Sequence, residues 1–129
     1  MEEDRKIAIA GCTGMSPNGL VARAAVSDMA VDFDEVISIC MGSVAADNEQ
    51  FIKFLDDFDV IAINGCESQC VNKILEDKGA NVIKSIDIDD VLEGTGYHPN
   101  DVARLDEEGE KCVSLVKDAI KDAFDESKI

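Results

Sequence analysis

The chain has 129 residues, of which 46% are hydrophobic, 31% charged and 5% aromatic, a composition typical of one globular domain rather than a disordered chain. It has 12 Lys and Arg residues and 28 Asp and Glu residues, and the resulting formal charge of −16 disfavours binding to nucleic acid or anionic lipid. The acidic start of the sequence, MEED at 1–4, and the lack of an apolar run of about 20 residues predict a cytoplasmic protein without a membrane span.

Short apolar runs alternate with helical patterns along the chain, which predicts strand–helix units that build a parallel sheet. The predicted strands cover residues 6–10, 35–39, 60–63 and 82–86. The predicted helices cover residues 20–30, a segment from a capping box at 47–50 to 55, a segment around 71–79, a short turn at 87–94 and a last helix at 106–125. An irregular connector, 95–105, precedes that last helix.

The alternation of these elements predicts the fold class. We expect a single α/β domain over residues 1–129, with a four-stranded, mostly parallel, Rossmann-like sheet flanked by helices. The expected strand order is 2-1-3-4. In such a sheet the carboxyl ends of the strands form one edge, and ligands bind in the crevice along it.

Five cysteines are the feature of the sequence that needs an explanation. An odd number in a chain expected to be cytoplasmic argues against a disulfide framework, and leaves metal binding, redox chemistry or burial in the core. The cysteines are Cys12, Cys40, Cys66, Cys70 and Cys112. Their positions relative to the predicted elements separate one of them from the other four.

Three of the cysteines follow three successive predicted strands. Cys12, Cys40 and Cys66 each lie at or just past the end of one strand, so the parallel sheet should bring them to one edge. Cys70 follows Cys66 by four residues, and in a helix that spacing places two side chains on one face, about 6 Å apart. We therefore expect these four thiols to converge.

Four converging thiolates repel one another unless a cation neutralises them, and zinc with four sulfur ligands is the common solution. The zinc would have a structural, carrier or sensing role, and a site with four protein ligands favours a binding protein over an enzyme. Three alternatives remain open. The cysteines could be buried core residues, an iron–sulfur cluster could use the same four ligands, or Cys66, Cys70 and Cys12 could serve a thiol redox or nucleophilic enzyme.

Two motifs resemble those of the DGC-domain family of zinc-binding proteins. One is NGCESQC at 64–70, which ends an apolar strand, and the other is the turn GCTG at 11–14, followed by Ser16 and Gly19. A lone cysteine after the second strand, Cys40, also fits the family pattern. The resemblance covers most of residues 5–93 and implies a small cytoplasmic protein. It also implies that the metal ligands are Cys12, Cys40, Cys66 and Cys70.

Two positions differ from the family pattern. Asn64 stands where the motif has its Asp, so a role that needs a carboxylate is not expected there. Met15 stands where some members have a further cysteine, which leaves one fewer candidate ligand.

The remaining candidate residues favour structural roles. Cys112 lies on the apolar face of the last predicted helix and is expected to pack in the core. His98, the only histidine, is expected to face solvent in the connector. The acidic runs at 87–90 and 106–110 do not follow the ligand pattern of an EF-hand, and are expected to be helix starts and solvated surface.

Overall fold

The computed structural model describes residues 6–12, 16–33, 36–39, 44–46, 48–65, 69–101 and 104–127. The strands are β1 (Lys6–Gly11), β2 (Val36–Ile39), β3 (Phe58–Asn64) and β4 (Asn81–Asp87). The helices are α1 (Pro17–Asp32), α2 (Glu49–Leu55), α3 (Cys70–Asp77), α4 (Ile88–Leu92) and α5 (Glu107–Ser127). Each predicted element is present, with its ends shifted by a few residues.

The four strands form one parallel sheet in the order β2-β1-β3-β4, which confirms the predicted fold class. Near the carboxyl edge, Ala10 of β1 pairs with Ile39 of β2, and Gly11 pairs with Ile63 of β3. The three neighbouring strands therefore end at nearly the same level. Cys12 and Gly65, which directly follow β1 and β3, lie side by side at this edge.

Helices cover both faces of the sheet, which explains the continuous apolar run in β3. α1 and α5 pack on each other and on the sheet, while α2 and α3 contact β3. Right-handed crossovers between parallel strands place α1 on one face and α2 and α3 on the other. Val60, Ile61, Ala62 and Ile63 are accordingly fully buried, and the buried apolar residues form one cluster.

α1 begins earlier than the sequence pattern predicts. Its first residue is Pro17 rather than residue 20, because Ser16 caps the helix by accepting a hydrogen bond from the Gly19 N–H at 3.0 Å. Proline at the first helical position is well tolerated there, since its missing N–H would have no partner inside the helix. The early start brings the N-terminus of α1 close to the carboxyl edge of the sheet.

The start of α2 is also capped differently from the prediction. Asn48 Oδ1 accepts a hydrogen bond from the Gln50 N–H at 3.1 Å, so Asn48 is the capping residue. Asp47, the predicted cap, lies outside the described residues. In the connector, residues 95–101 and 104–106 contain neither helix nor strand, as expected. None of the helices in the described part of the chain is long and apolar enough to cross a bilayer.

Candidate metal site

Cys12 lies at the end of β1, the strand between β2 and β3. Its backbone N–H donates a hydrogen bond to the Ile63 carbonyl at 3.0 Å, so the pairing with β3 continues to this residue. The side chain is 8% exposed. A β-carbon built on Gly65 would lie 3.2 Å from Cys12 Sγ, so the sulfur packs against the backbone just past β3.

The N-terminus of α1 lies on the same side of Gly65 as Cys12. The same β-carbon on Gly65 would lie 3.1 Å from the Gly19 nitrogen and 3.2 Å from the Asn18 carbonyl carbon. The N-terminus of a helix carries partial positive charge, which favours an anionic group such as a thiolate nearby. Gly65 is therefore glycine because strand end, sulfur and helix start meet where a side chain would lie.

Cys70 is the first residue of α3 and is exposed. The residue before it, Gln69, has φ 54° and ψ 49°, in the left-handed region. A continuous helix cannot pass through that conformation. The expectation that Cys66 and Cys70 share one helix face is therefore wrong, because the helix begins only at Cys70.

Hydrogen bonds hold Gln69 in this conformation, which non-glycine residues rarely adopt. Its Nε2 donates to both carboxylate oxygens of Asp87, at 3.2 and 2.9 Å. Asp87 is the last residue of β4, so the bond connects the chain before α3 to the neighbouring strand end. A second polar contact lies at the same carboxyl edge of the sheet, where Asn18 Nδ2 donates to Asp89 Oδ1 at 2.8 Å.

Asn64, the last residue of β3, joins this edge to α3. Its side chain is 1% exposed, and its Nδ2 donates to Asn72 Oδ1 at 2.7 Å. Its Oδ1 accepts from the Asn72 N–H at 3.3 Å. Asn72 Nδ2 in turn donates to Ser85 Oγ of β4 at 2.7 Å. The position of the motif Asp thus carries an amide that both donates to and accepts from one partner.

Cys40 and Cys66, the other two predicted ligands, lie outside the described residues. Their described neighbours, Ile39 and Gly65, are at the ends of β2 and β3, on either side of β1. Among the described residues, no group of three or more His, Cys, Asp or Glu side chains could hold a metal ion. Of the four candidates, the described part of the chain contains Cys12 and Cys70.

The fifth cysteine differs in its surroundings. Cys112 is fully buried in α5, within the apolar cluster, as expected. Burial raises the pKa of its thiol, and the nearby charges of Glu108 and Asp106 raise it further, so the neutral form is favoured. His98 is exposed in the connector, also as expected, and its backbone N–H donates to Glu108 Oε2 at 2.9 Å.

The family model of the DGC domain matches residues 8–116, which is most of the chain and contains all five cysteines. The chain belongs to the DGC domain family. No curated protein and no solved structure matches it. Asn64 and Cys70, the first and last residues of the segment that resembles the family motif, are the last residue of β3 and the first residue of α3.

Three polar residues of this edge were not identified from the sequence. Gln69, Asn72 and Asp87 are separated from their partners along the chain, so no local pattern marks them. One signal was present at Asn64, since a polar residue that directly ends an apolar strand must find a hydrogen-bond partner when it is buried. The sequence does not tell which residue that partner is.

Proposed function

We propose that the protein binds one zinc ion at the carboxyl edge of its sheet, with the thiolates of Cys12, Cys40, Cys66 and Cys70 as ligands. The position of Cys12 is the observation that carries the proposal. Its sulfur packs beside Gly65 at the end of β3 and near the N-terminus of α1, on a strand with neighbours on both sides. The residues that directly follow the described ends of those neighbours are Cys40 and Cys66.

The spacing of the strands supports this ligand set. Adjacent strands lie about 4.8 Å apart, so the ends of β2 and β3 are about 10 Å apart with β1 between them. Cysteine side chains that extend toward β1 from the ends of β2 and β3, together with one from β1 itself, can reach a common ion about 2.3 Å from each sulfur. Membership of the DGC domain family supports the same ligands through the motif at 64–70.

The surroundings of the site suit an anionic centre. Zinc with four thiolates carries a net charge of −2, which needs donors and positive dipoles around it. The N-terminus of α1 supplies such a dipole beside Cys12, and Gly65 leaves the backbone accessible. No coordination position is left for a substrate, so the proposed role is structural, carrier or sensing rather than catalytic.

The test is metal analysis of protein purified without oxygen. We expect about one zinc per chain in the wild type, a loss of zinc in Cys12→Ser, Cys40→Ser, Cys66→Ser and Cys70→Ser, and full retention in the control Cys112→Ala. The control removes a buried thiol that lies in the apolar cluster, so it separates the ligand role from the general effect of losing a cysteine.

Two results would contradict the proposal, and each identifies an alternative. Iron with visible absorption that the same four variants abolish would indicate an iron–sulfur cluster. A metal-free protein whose Cys66, Cys70 or Cys12 thiols cycle between dithiol and disulfide would indicate a thiol redox enzyme.

A further inference from the structure

Asn64 links the surroundings of Cys12 to the start of α3, where Cys70 lies. On one side of it, the Ile63 carbonyl accepts the Cys12 N–H and Gly65 packs against Cys12 Sγ. On the other side, the Asn64 side chain makes two hydrogen bonds to Asn72, two residues after Cys70. The same short segment of β3 therefore contacts both Cys12 and the first turn of α3.

The bonds to Asn72 replace an ordinary helix cap. The N–H groups of the first turn of a helix have no partner within the helix, and the side chain of the capping residue normally accepts one of them. Gln69, at the cap position of α3, makes no such bond because its side chain is directed to Asp87. Asn64 Oδ1 accepts the Asn72 N–H instead, from a different element of the fold.

Because the cap comes from Asn64 and not from Gln69, it fixes the position of α3 relative to the sheet. A cap on the adjacent residue fixes only the local backbone, whereas Asn64 is part of the sheet and is 1% exposed. The reciprocal bond, from Asn64 Nδ2 to Asn72 Oδ1 at 2.7 Å, also restricts rotation of α3 about its own axis. The sheet thus holds the first turn of α3, which carries Cys70, in one position relative to Cys12.

We propose that Asn64 is a positioning residue for the metal site: its paired hydrogen bonds to Asn72 hold Cys70 at the place where it can share an ion with Cys12. The inference rests on the proposed zinc binding. It adds a specific role for a residue that supplies no ligand itself. It also explains why a buried amide ends β3, since an apolar residue there would leave the Asn72 N–H without its acceptor.

The test compares zinc affinity, measured by competition with a chelator, in Asn64→Ala and in a matched control. Asn81→Ala is the control, because Asn81 Nδ2 also bonds a side chain across β3 and β4, to Asp59 Oδ1 at 2.8 Å, but near the opposite edge of the sheet. We expect Asn64→Ala to weaken zinc binding by about 10- to 100-fold, as for other residues that orient metal ligands, and Asn81→Ala to leave it unchanged.

Two further variants keep the test decisive if Asn64→Ala folds poorly. Asn72→Ala removes the acceptor of the 2.7 Å bond at a partly buried position, and should weaken zinc binding by a smaller factor. Asn64→Asp keeps an oxygen that can accept the Asn72 N–H, and should recover affinity relative to Asn64→Ala. The effects of Asn64→Ala and Asn72→Ala should be less than multiplicative, because both break one connection.

A second measurement uses the metal-free protein. The rate of alkylation of Cys70, followed by mass spectrometry of the peptides, and hydrogen exchange of the Asn72 amide should both increase in Asn64→Ala and not in Asn81→Ala. If the wild type binds no zinc but these rates change as expected, the proposed function fails, and what stands of the inference is that Asn64 holds the first turn of α3. If the wild type binds zinc and Asn64→Ala binds it equally well, or if the two rates do not change, the inference is wrong.

Discussion

Cys12 and Cys112 are both buried cysteines, at 8% and 0% exposure, yet their surroundings differ in kind. Cys12 lies at a strand end, where its sulfur packs beside Gly65, and the N-terminus of α1 approaches the same glycine. Cys112 belongs to the apolar cluster, and the charges that raise the pKa of its thiol are the carboxylates of Glu108 and Asp106.

The difference shows that two cysteines of similar burial can lie in different kinds of environment. Cys12 lies beside the start of a helix at the edge of the sheet, whereas around Cys112 both burial and neighbouring charge raise the pKa of the thiol. A reactive or metal-binding thiol needs the first environment, and a core residue is stable in the second. Four experiments sharpen this contrast between the two cysteines and the regions around them.

The largest expected effect is on zinc-dependent stability. With free zinc at about 1,000 times its dissociation constant, binding should add about 4 kcal/mol to the free energy of unfolding. Urea unfolding with zinc and with a chelator measures this increment. We expect Cys12→Ser to abolish it and Cys112→Ala to retain it. An equal increment in the two variants would show that the contrast between the cysteines has no functional meaning.

The next largest effect is on stability, and it compares a glycine beside Cys12 with a glycine near Cys112. Gly65→Ala places a methyl group 3.1 Å from the Gly19 nitrogen and 3.2 Å from Cys12 Sγ, where backbone must move, and should destabilise the protein by about 1–3 kcal/mol. Gly109→Ala, near Cys112, meets Asp106 Oδ1 at 3.1 Å, a side-chain oxygen that accepts the Gly109 N–H and needs to shift by only a few tenths of an ångström. Its effect should stay within about 0.5 kcal/mol, since alanine also favours the helix. Thermal unfolding of both variants checks this difference.

A smaller effect should appear in the pH dependence of stability. The folded state raises the pKa of Cys112 above the ordinary value of 9.0, so above about pH 9 the unfolded chain loses this proton first. The free energy of unfolding should then fall as pH rises, up to the pKa in the folded state, and be unaffected by this group at lower pH. Urea unfolding from pH 7 to 10 should show a less steep decline in Cys112→Ala than in the wild type.

The smallest effect is expected for the ion pairs between α1 and α5. Lys117 Nζ lies 3.4 Å from Asp28 Oδ2 and 3.2 Å from Asp32 Oδ2. Burial lowers the pKa of Lys117, but the hydrogen bond from Lys117 to Asp32 and the charges of both carboxylates outweigh it and raise the pKa overall. Lys117→Gln should cost about 0.5 kcal/mol, and less at high salt. An unchanged zinc affinity in this variant would confirm that these ion pairs stabilise the packing of α1 on α5 and do not affect the metal site.

The sheet order could be predicted from the sequence because each step follows from local patterns and general rules. Apolar runs such as 60–63 identify buried strands, helices between them require parallel pairing, and right-handed crossovers restrict the possible orders. The position of Cys12 followed from the same reasoning. Cys40 and Cys66 stay predictions, since they lie outside the described residues.

The relation between Cys66 and Cys70 could not be predicted in this way. A spacing of four residues suggests one helix face, but Gln69 adopts a left-handed conformation that starts the helix only at Cys70. Glutamine carries no local signal for this conformation, in contrast to glycine or asparagine. The hydrogen bonds that hold it are donated by its own Nε2 to Asp87. This residue ends a strand that lies further along the chain.

The sequence by itself determined the class of fold, the position of Cys12 at the end of β1 and the burial of Cys112 in the core, because periodicity and strand ends are local properties. Only the tertiary structure decided how that edge is held together. The bonds of Asn64 to Asn72 and of Gln69 to Asp87 join residues from different elements. Such bonds depend on which elements the packed core brings side by side, and no pattern along the chain specifies that pairing of side chains.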